Sequence, residues 1–238
     1  MSGGTVVLVP IRSLTGGKTR LAGALTPEAR ATLTERMLTR VVSAALASGT
    51  IETVLVISPD PDAVHLAGAL DPRVVAVLQD PDARGLNGAI EQGRTWAATR
   101  RAAAYLVLFG DLPLLDPDDV KNLVRRDAPV VIGPDRHGTG TNALMIRLGA
   151  TDPDQPPFRF GFGAGSYAHH VDEAHRLGLE VAVSLTPGTA FDLDTPEDLV
   201  TMLGDGTGGL NERMMSIDAP ETGILAFVAL EAGREARP

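Results

Sequence analysis

Three aspartates carry the strongest suggestion of chemistry in this sequence. Asp111 follows the apolar run Tyr105–Phe109 and a glycine, and precedes Leu112-Pro113. Its carboxylate is therefore expected to emerge at the carboxyl end of a buried strand. Asp192 and Asp194 flank a single leucine, and in an extended segment positions two apart project from the same face. A fold that turns this pair toward Asp111 would gather three hard oxygen donors, the ligand type magnesium takes while keeping places for water and phosphate oxygens. Carboxylates so placed repel one another, and a divalent cation relieves the repulsion. Aspartates are also common helix caps. Here Thr195-Pro196-Glu197-Asp198 supplies its own helix start, with threonine as cap, proline at the first helical position and acids in the first turn. Asp192 and Asp194 are then less needed as caps. Spacing alone leaves metal binding and a structural role both open, and Gly-Asp-x-Pro is in itself an ordinary turn.

The second constellation is the loop Arg12-Ser-Leu-Thr-Gly-Gly-Lys-Thr-Arg20. Glycines between Arg12, Lys18 and Arg20 suit a backbone that approaches a polyphosphate while cations neutralise it. A P-loop would need glycine five positions before Gly17, where Arg12 stands, so that reading is rejected. A solvated glycine-rich loop is the alternative. Next, Gly85-Leu86-Asn87-Gly88-Ala89 opens a helical stretch; Asn87 and Gly88 are candidates to read a base edge or ribose, or simply begin a helix. Two further loops, Asp135–Asn142 and Phe160–Ser166, are rich in glycine. The second ends at the helix expected from Ser166, and a helix start preceded by glycines is a ready anion site. The five histidines form no metal-like set with acids, and His169 and His170 read as surface or substrate-edge residues. No serine sits in a nucleophile elbow and no GxGxxG follows the first strand, which disfavours acyl and hydride transfer.

These loops need a frame to position them. Apolar runs predict strands at Thr5–Pro10, Thr53–Ser58, Val74–Leu78, Tyr105–Phe109, Val130–Gly133, Asn142–Ile146 and Glu180–Leu185. Helical periodicity predicts Pro27 to about Ser48, Val64–Leu70, Leu86–Arg101, Asp116–Arg126, Ser166–Leu177 and Pro196–Leu203, with Leu33, Met37, Val41, Val42 and Ala45 on one face of the first. Such alternation implies a mostly parallel sheet with helices on both faces, whose ligands sit beyond the carboxyl ends of the strands. The expected organisation is one domain over residues 1–204, then a linker, Gly204–Gly209, within a C-terminal extension, 205–238. That extension contains the apolar stretch Gly223–Leu230.

Composition narrows the class. The 238 residues are 44% hydrophobic and 21% charged, as in a soluble globular protein. No run approaches the ~20 apolar residues of a membrane span, and the N-terminus lacks a signal-peptide pattern. No cysteine is present, which excludes disulfides, thiolate metal sites and cysteine nucleophiles. A cytoplasmic location is expected. A net charge of −9 argues against nucleic acid as partner.

Taken in order, VPIRSLTGGKTRLA, GLNGAI, FGDLPLL, GTGTNAL, FGAGS and FDLDTPEDL resemble the 2-phospho-L-lactate (or phosphoenolpyruvate) guanylyltransferases. These are relatives of the GT-A-like nucleotidyltransferases that make a precursor of the deazaflavin coenzyme factor-420. The resemblance spans about residues 5–203. It implies a single Rossmann-like, GT-A-like α/β domain with a mostly parallel mixed sheet, magnesium, GTP as donor, a small phospho-acid as acceptor and pyrophosphate as leaving group. It also implies Asp111, Asp192 and Asp194 as metal ligands, Lys18 beside the triphosphate, and Thr141, Gly163 and Ser166 as the acceptor-phosphate site. One departure is Arg12, where the family usually carries lysine; arginine offers planar bidentate contacts in place of a point charge. The rival readings are a molybdopterin guanylyltransferase, an isoprenoid cytidylyltransferase, a glycosyltransferase using Asp192-Leu-Asp194 as a DxD motif, or a nucleotide sensor. Retention of all three aspartates and the mid-chain GDLP favour the guanylyltransferase. The acceptor stays open among phosphoenolpyruvate, 2-phospholactate and 3-phosphoglycerate, and a homodimer is the expected assembly.

Overall fold

The computed structural model describes residues 3–148 and 157–203, with the backbone alone at Leu203. The expected linker and extension lie outside the described residues. Seven strands form one sheet in the order β3-β2-β1-β4-β6-β5-β7. They are β1 (Thr5–Pro10), β2 (Ile51–Ser58), β3 (Val74–Leu78), β4 (Ala104–Leu108), β5 (Val130–Pro134), β6 (Thr141–Arg147) and β7 (Val181–Val183). All pairings are parallel except those of β6, which runs antiparallel to both β4 and β5. This is the mostly parallel sheet that the alternating pattern predicts, mixed as the resemblance implies.

The helices are α1 (Pro27–Ala47), α2 (Pro61–Gly68), α3 (Gly85–Thr99), α4 (Pro117–Arg125), α5 (Ser166–Arg176), α6 (Pro187–Ala190) and α7 (Pro196–Leu203). Their starts follow local chemistry. Thr26, Asp60 and Asp116 each accept a first-turn amide, and proline occupies the next position in all three, where its missing N–H costs nothing and its fixed φ is already helical. The single-turn α6 and a 3₁₀ turn at Thr19–Gly23 have no periodic signal, being too short to show one.

Every residue of β1, β4 and β5 is buried, as strands covered on both faces require. One face packs Val7, Val56 and Leu106 against Leu38 and Val41 of α1. The other packs Leu8, Ile57 and Val107 against Ile90 of α3 and Ala174 of α5. A third, smaller cluster joins Leu21, Leu33 and Met37 to Leu114, Phe191 and Leu193. It ties the segment after β1 to the C-terminal end of the domain, which matters below.

The direction of strand addition reverses between β1 and β4. β2 and β3 continue on one side of β1, and β4 lies on the other. Loops leaving the carboxyl ends of two adjacent parallel strands there diverge to opposite faces and leave a crevice. The loop after β1 carries Arg12 and Lys18, and the loop after β4 carries Asp111.

Candidate active site

At this crevice Lys18 and the aspartates meet. The Lys18 Nζ donates to Asp111 Oδ2 at 2.8 Å and to Asp194 Oδ1 at 2.6 Å. The Lys18 side chain is 8% exposed, and burial alone would lower its pKa. Asp111 and Asp194 outweigh that and hold it above the ordinary lysine value. Asp192 stands alongside. Burial first, then the charges of Asp111 and Asp194, push its carboxyl above the usual range. The two other aspartates are thus close enough to repel it. Asp111 Oδ1 is buried and has no hydrogen-bond partner among the described residues.

Local packing explains why residues 93 and 176 positions from Lys18 arrive here. The Phe191–Asp194 segment alternates, with Phe191 and Leu193 buried in the third cluster and the two aspartates directed the other way. Fully burying one leucine contributes about 1.5–3 kcal/mol, enough to set the register of a short segment. The Leu193 amide donates to the Asp111 carbonyl at 3.2 Å, fixing the two acidic segments side by side. The following helix needs no help from Asp194. Asp198 Oδ2 accepts the amides of Asp194 and Thr195 at 2.7 Å each, and Thr195 Oγ1 accepts the Asp198 amide. That reciprocal cap leaves the Asp194 carboxylate to Lys18.

Lys18 itself sits in the left-handed region at φ 53°. A side chain there costs of order 1 kcal/mol, offset by the two carboxylates it reaches. The loop before it is anchored from outside the crevice: Asp60 Oδ2 accepts the Ser13 hydroxyl at 2.8 Å and the Leu14 amide at 3.0 Å, while Oδ1 caps α2. Arg136 secures the other wall. Its guanidinium pairs with Asp198, donates to the Asp192 carbonyl at 3.1 Å and lies over the Phe191 ring. Burial would raise the Asp198 carboxyl; the amides of Asp194 and Thr195, with Arg136, hold it below its ordinary value.

Two clefts open over the crevice. One of about 330 Å³ is walled by Arg12, Gly16, Gly17, Lys18, Asp111 and Asp194. The second, about 580 Å³, shares Pro10, Ile11, Arg12 and Leu86 with it and runs on toward Gln79, Asp80 and Arg84. Each is within the size range of small-molecule sites, and Arg12 borders both. Arg20, on the 3₁₀ turn, is exposed and lies off both cleft walls.

Asn87, Gly88, Thr141, Gly163 and Ser166, from the other glycine-rich motifs, line neither cleft. Asn87 is occupied with the backbone of Phe162, donating to its carbonyl at 3.1 Å and accepting its amide at 2.9 Å. Gly88 is pressed against the loop before α3, where a Cβ would lie 2.4 Å from the Ala83 carbonyl. Both residues therefore have architectural work. Gly163 has φ 133°, a conformation side chains rarely adopt, and the space over it is open. Ser166 opens α5 and is buried. Thr141 begins β6 at a bulge. Gly133 pairs with Ala143 but the next residue, Pro134, pairs with Thr141, so Asn142 is the extra residue, and such bulges re-aim side chains beside functional sites. Asn142 reaches Asp192 Oδ1 at 3.4 Å. Thr141 reaches His170.

His170 corrects the sequence reading. It is fully buried, although its neighbour His169 is exposed. The helical period held the signal: Ser166, His170, Glu173 and Ala174 form the buried stripe of α5. Burial, with His169 beside it, lowers the His170 pKa to about 4, against the opposing pull of Glu173. Arg136 and Asp60 lie outside the periodic stretches, so no spacing marks them, whereas Asp198 reads as a first-turn acid of α7 whose pairing with Arg136 the sequence does not show. Among the described residues no group of three or more histidine, aspartate or glutamate side chains is already drawn together to hold a metal ion; Lys18 stands between two of the carboxylates.

The chain matches the family model described as guanylyl transferase CofC like over residues 5–216. A phosphoenolpyruvate guanylyltransferase of Rubrobacter xylanophilus is 42% identical over 209 residues, covering 87% of this chain and 96% of the relative. A 2-phospho-L-lactate guanylyltransferase of Methanothermobacter thermautotrophicus is 35% identical over 207 residues, covering 85% and 86%. Among solved structures, a protein from Desulfovibrio desulfuricans G20 superposes with TM-score 0.72 at 18% identity, covering 98% of both chains. A nucleotidyl transferase from Methanothermobacter thermautotrophicus superposes with TM-score 0.57 at 16% identity, covering 90% of this chain and 99% of that one. These two likenesses speak to the fold.

Proposed function

Since the chain belongs to the CofC-like guanylyl transferase family, we propose that it transfers GMP from GTP to the phosphate of a small phospho-acid and releases pyrophosphate. Phosphoenolpyruvate is the acceptor we favour, because the relative at 42% identity carries that name. The observation that carries the reading is the convergence of Lys18, Asp111 and Asp194 on the wall of one cleft, with Asp192 near enough to feel both aspartates and a second cleft bounded by the same Arg12. No helix among the described residues is long and apolar enough to cross a membrane, and the cysteine-free sequence suits a cytoplasmic enzyme.

In this reading an acceptor phosphate oxygen attacks the α-phosphorus of GTP. The bond from that phosphorus to the bridging oxygen breaks, and the electron pair leaves with pyrophosphate. The attacking oxygen is already ionised, so no general base is needed, and catalysis is alignment plus charge neutralisation. Lys18, held rigidly by two carboxylates, presents its ammonium to the phosphates, and Arg12 reaches both clefts to meet the nucleotide. The Thr141 and Ser166 hydroxyls and the open backbone at Gly163 receive the acceptor.

Magnesium belongs to the same proposal. Three carboxylates, one with a raised pKa and one with an orphaned buried oxygen, are a donor set that suits a hard divalent cation. Asp111, Asp192 and Asp194 would hold it. When bound it would neutralise phosphate charge and let two anions approach.

The test is pyrophosphate release by the purified protein with magnesium, each nucleoside triphosphate being paired with phosphoenolpyruvate, 2-phospholactate and 3-phosphoglycerate. Release only with GTP and one acceptor is expected. Folded protein that releases none with any pair overturns the proposal.

A further inference from the structure

His170 has no role in the reaction as described, yet it is fully buried and its two ring nitrogens are both engaged. Nε2 lies 3.2 Å from the Gly161 amide and Nδ1 lies 3.0 Å from Thr141 Oγ1. A backbone N–H can only donate, so Nε2 must present its lone pair. In the neutral ring the proton then resides on Nδ1, and that N–H donates to the Thr141 hydroxyl oxygen. With its oxygen accepting there, the hydroxyl is left with its own proton to give. Among the described residues Thr141 has no other hydrogen-bonded side chain and is itself 2% exposed. A buried O–H without an acceptor is costly, and an anionic oxygen is the natural partner for it.

The surroundings hold this arrangement in place. His170 is wedged edge-on against Phe162 at 4.5 Å between centroids, with Phe158 and His169 at 6.0 and 5.7 Å. The His169 ring lies over Gly161, 2.0 Å from where a Cβ would be, so a side chain at Gly161 would have to displace that ring. The Phe162 backbone is in turn held by Asn87. The ring therefore has little freedom to flip, and the low pKa set by burial keeps it neutral at working pH.

We propose that His170 is a positioning residue that locks the Thr141 hydroxyl as a hydrogen-bond donor to the acceptor's phosphate. This rests on the reading of Thr141 as part of the acceptor site. It adds a specificity element to that site: an acceptor must offer an oxygen with a free lone pair at Thr141, so a group presenting a hydrogen there is rejected.

Two substitutions separate the two bonds of the ring. In His170→Gln the terminal amide falls near Nε2, preserving a partner for Gly161 and losing the one for Thr141. In His170→Asn it falls near Nδ1, preserving the bond to Thr141 and losing the one to Gly161. The assay is pyrophosphate release with GTP and phosphoenolpyruvate, with KM measured for each substrate and folding checked by circular dichroism. Thr141→Val and His170→Gln are each expected to raise the acceptor KM about tenfold or more, the loss of one hydrogen bond to an anion. His170→Asn stays close to wild type, the KM for GTP is unmoved, and Thr141→Val/His170→Gln is no worse than Thr141→Val alone. The ring ¹⁵N spectrum of the wild type is expected to report the neutral Nδ1–H tautomer.

Equal losses in the Gln and Asn variants, multiplying effects in the double variant, an Nε2–H tautomer, or a Thr141→Val effect with none in His170→Gln would each overturn the proposal. A wild-type protein that turns over no pair of substrates overturns the functional reading, and the phosphate partner of Thr141 with it. Activity with a Thr141→Val variant unchanged in acceptor KM leaves the function standing and removes only the acceptor role assigned to Thr141 and His170.

Discussion

Replacing Lys18 by methionine keeps the length of the side chain and deletes the charge that two carboxylates share. With Nζ at 2.8 Å from Asp111 and 2.6 Å from Asp194, each pair is worth about 6 kcal/mol of Coulomb attraction at an effective dielectric near 20, before desolvation is counted. Most of that is offset by taking the ammonium out of water, and Asp194 is 41% exposed and so partly screened. Deletion also restores the repulsion among three carboxylates and leaves Asp111 wholly without a partner. A net loss of about 2–3 kcal/mol follows, a fall in melting temperature of roughly 5–10 °C for a domain of this size. Calorimetry in a chelating buffer reads it. Millimolar magnesium should then stabilise Lys18→Met more than the wild type, because the vacated carboxylates gain most from a divalent cation. Turnover in saturating magnesium should fall about a hundredfold or more. A variant that melts with the wild type in chelator, or gains nothing extra from magnesium, would refute the account of Lys18 as the cation that balances the site.

Asp192→Asn should lower turnover about a hundred- to a thousandfold and yet raise the melting temperature of the metal-free protein. The folded pKa of Asp192 is raised, so its ionisation costs stability above that pKa and none below the unfolded value; the gain should vanish in acid, as melts from neutral to acidic pH will record. Arg136→Ala removes the partner of buried Asp198 and loosens the Asp192–Asp194 segment. A loss of about 2 kcal/mol is expected in denaturant titration, with activity down about ten- to a hundredfold. His170, with a folded pKa of about 4 against 6.5 unfolded and faced by His169 and Glu173, binds its proton more tightly when the chain is unfolded. Its contribution is complete above pH 6.5 and lost as pH falls toward 4, about 3 kcal/mol in all. The same titration on His170→Gln should lack that component.

Much of this site was legible before any coordinates. Asp111 announces itself because a buried apolar strand ending in Gly-Asp must deliver the carboxylate to the strand's carboxyl end. Asp192 and Asp194 announce themselves through alternation with Phe191 and Leu193, and through a helix start that already had its cap. The glycine-rich loop after β1, with Arg12, Lys18 and Arg20 along it, suited a backbone approaching a polyphosphate or a solvated loop. What stayed hidden were the supports. Asp60 and Arg136 act on residues far from them in the chain, and a single charge in a loop has no period to betray it; Asp198 is visible as a first-turn acid, but its pairing with Arg136 is not. Asn87 and Gly88 read either as groups facing a nucleotide or as a helix start; they open α3, where Asn87 holds the Phe162 backbone and Gly88 packs against Ala83. His170 was misplaced by its polarity, although the stripe of Ser166, His170 and Glu173/Ala174 would have set it inside.

The order of apolar runs and helical stripes therefore determined the class of fold, the places of the strands in the chain and the candidate carboxylates, since each of these depends on neighbours within a few residues. Tertiary structure alone decided that β4 lies beside β1 and that β6 runs backwards between β4 and β5. It also decided that Leu193 docks beside Leu21, Met37 and Leu114. Those contacts join residues scores of positions apart, and their energy depends on which surfaces meet once the sheet has closed. Only then does Lys18 find Asp111 and Asp194 at once, and only then does a buried histidine acquire a hydroxyl to orient.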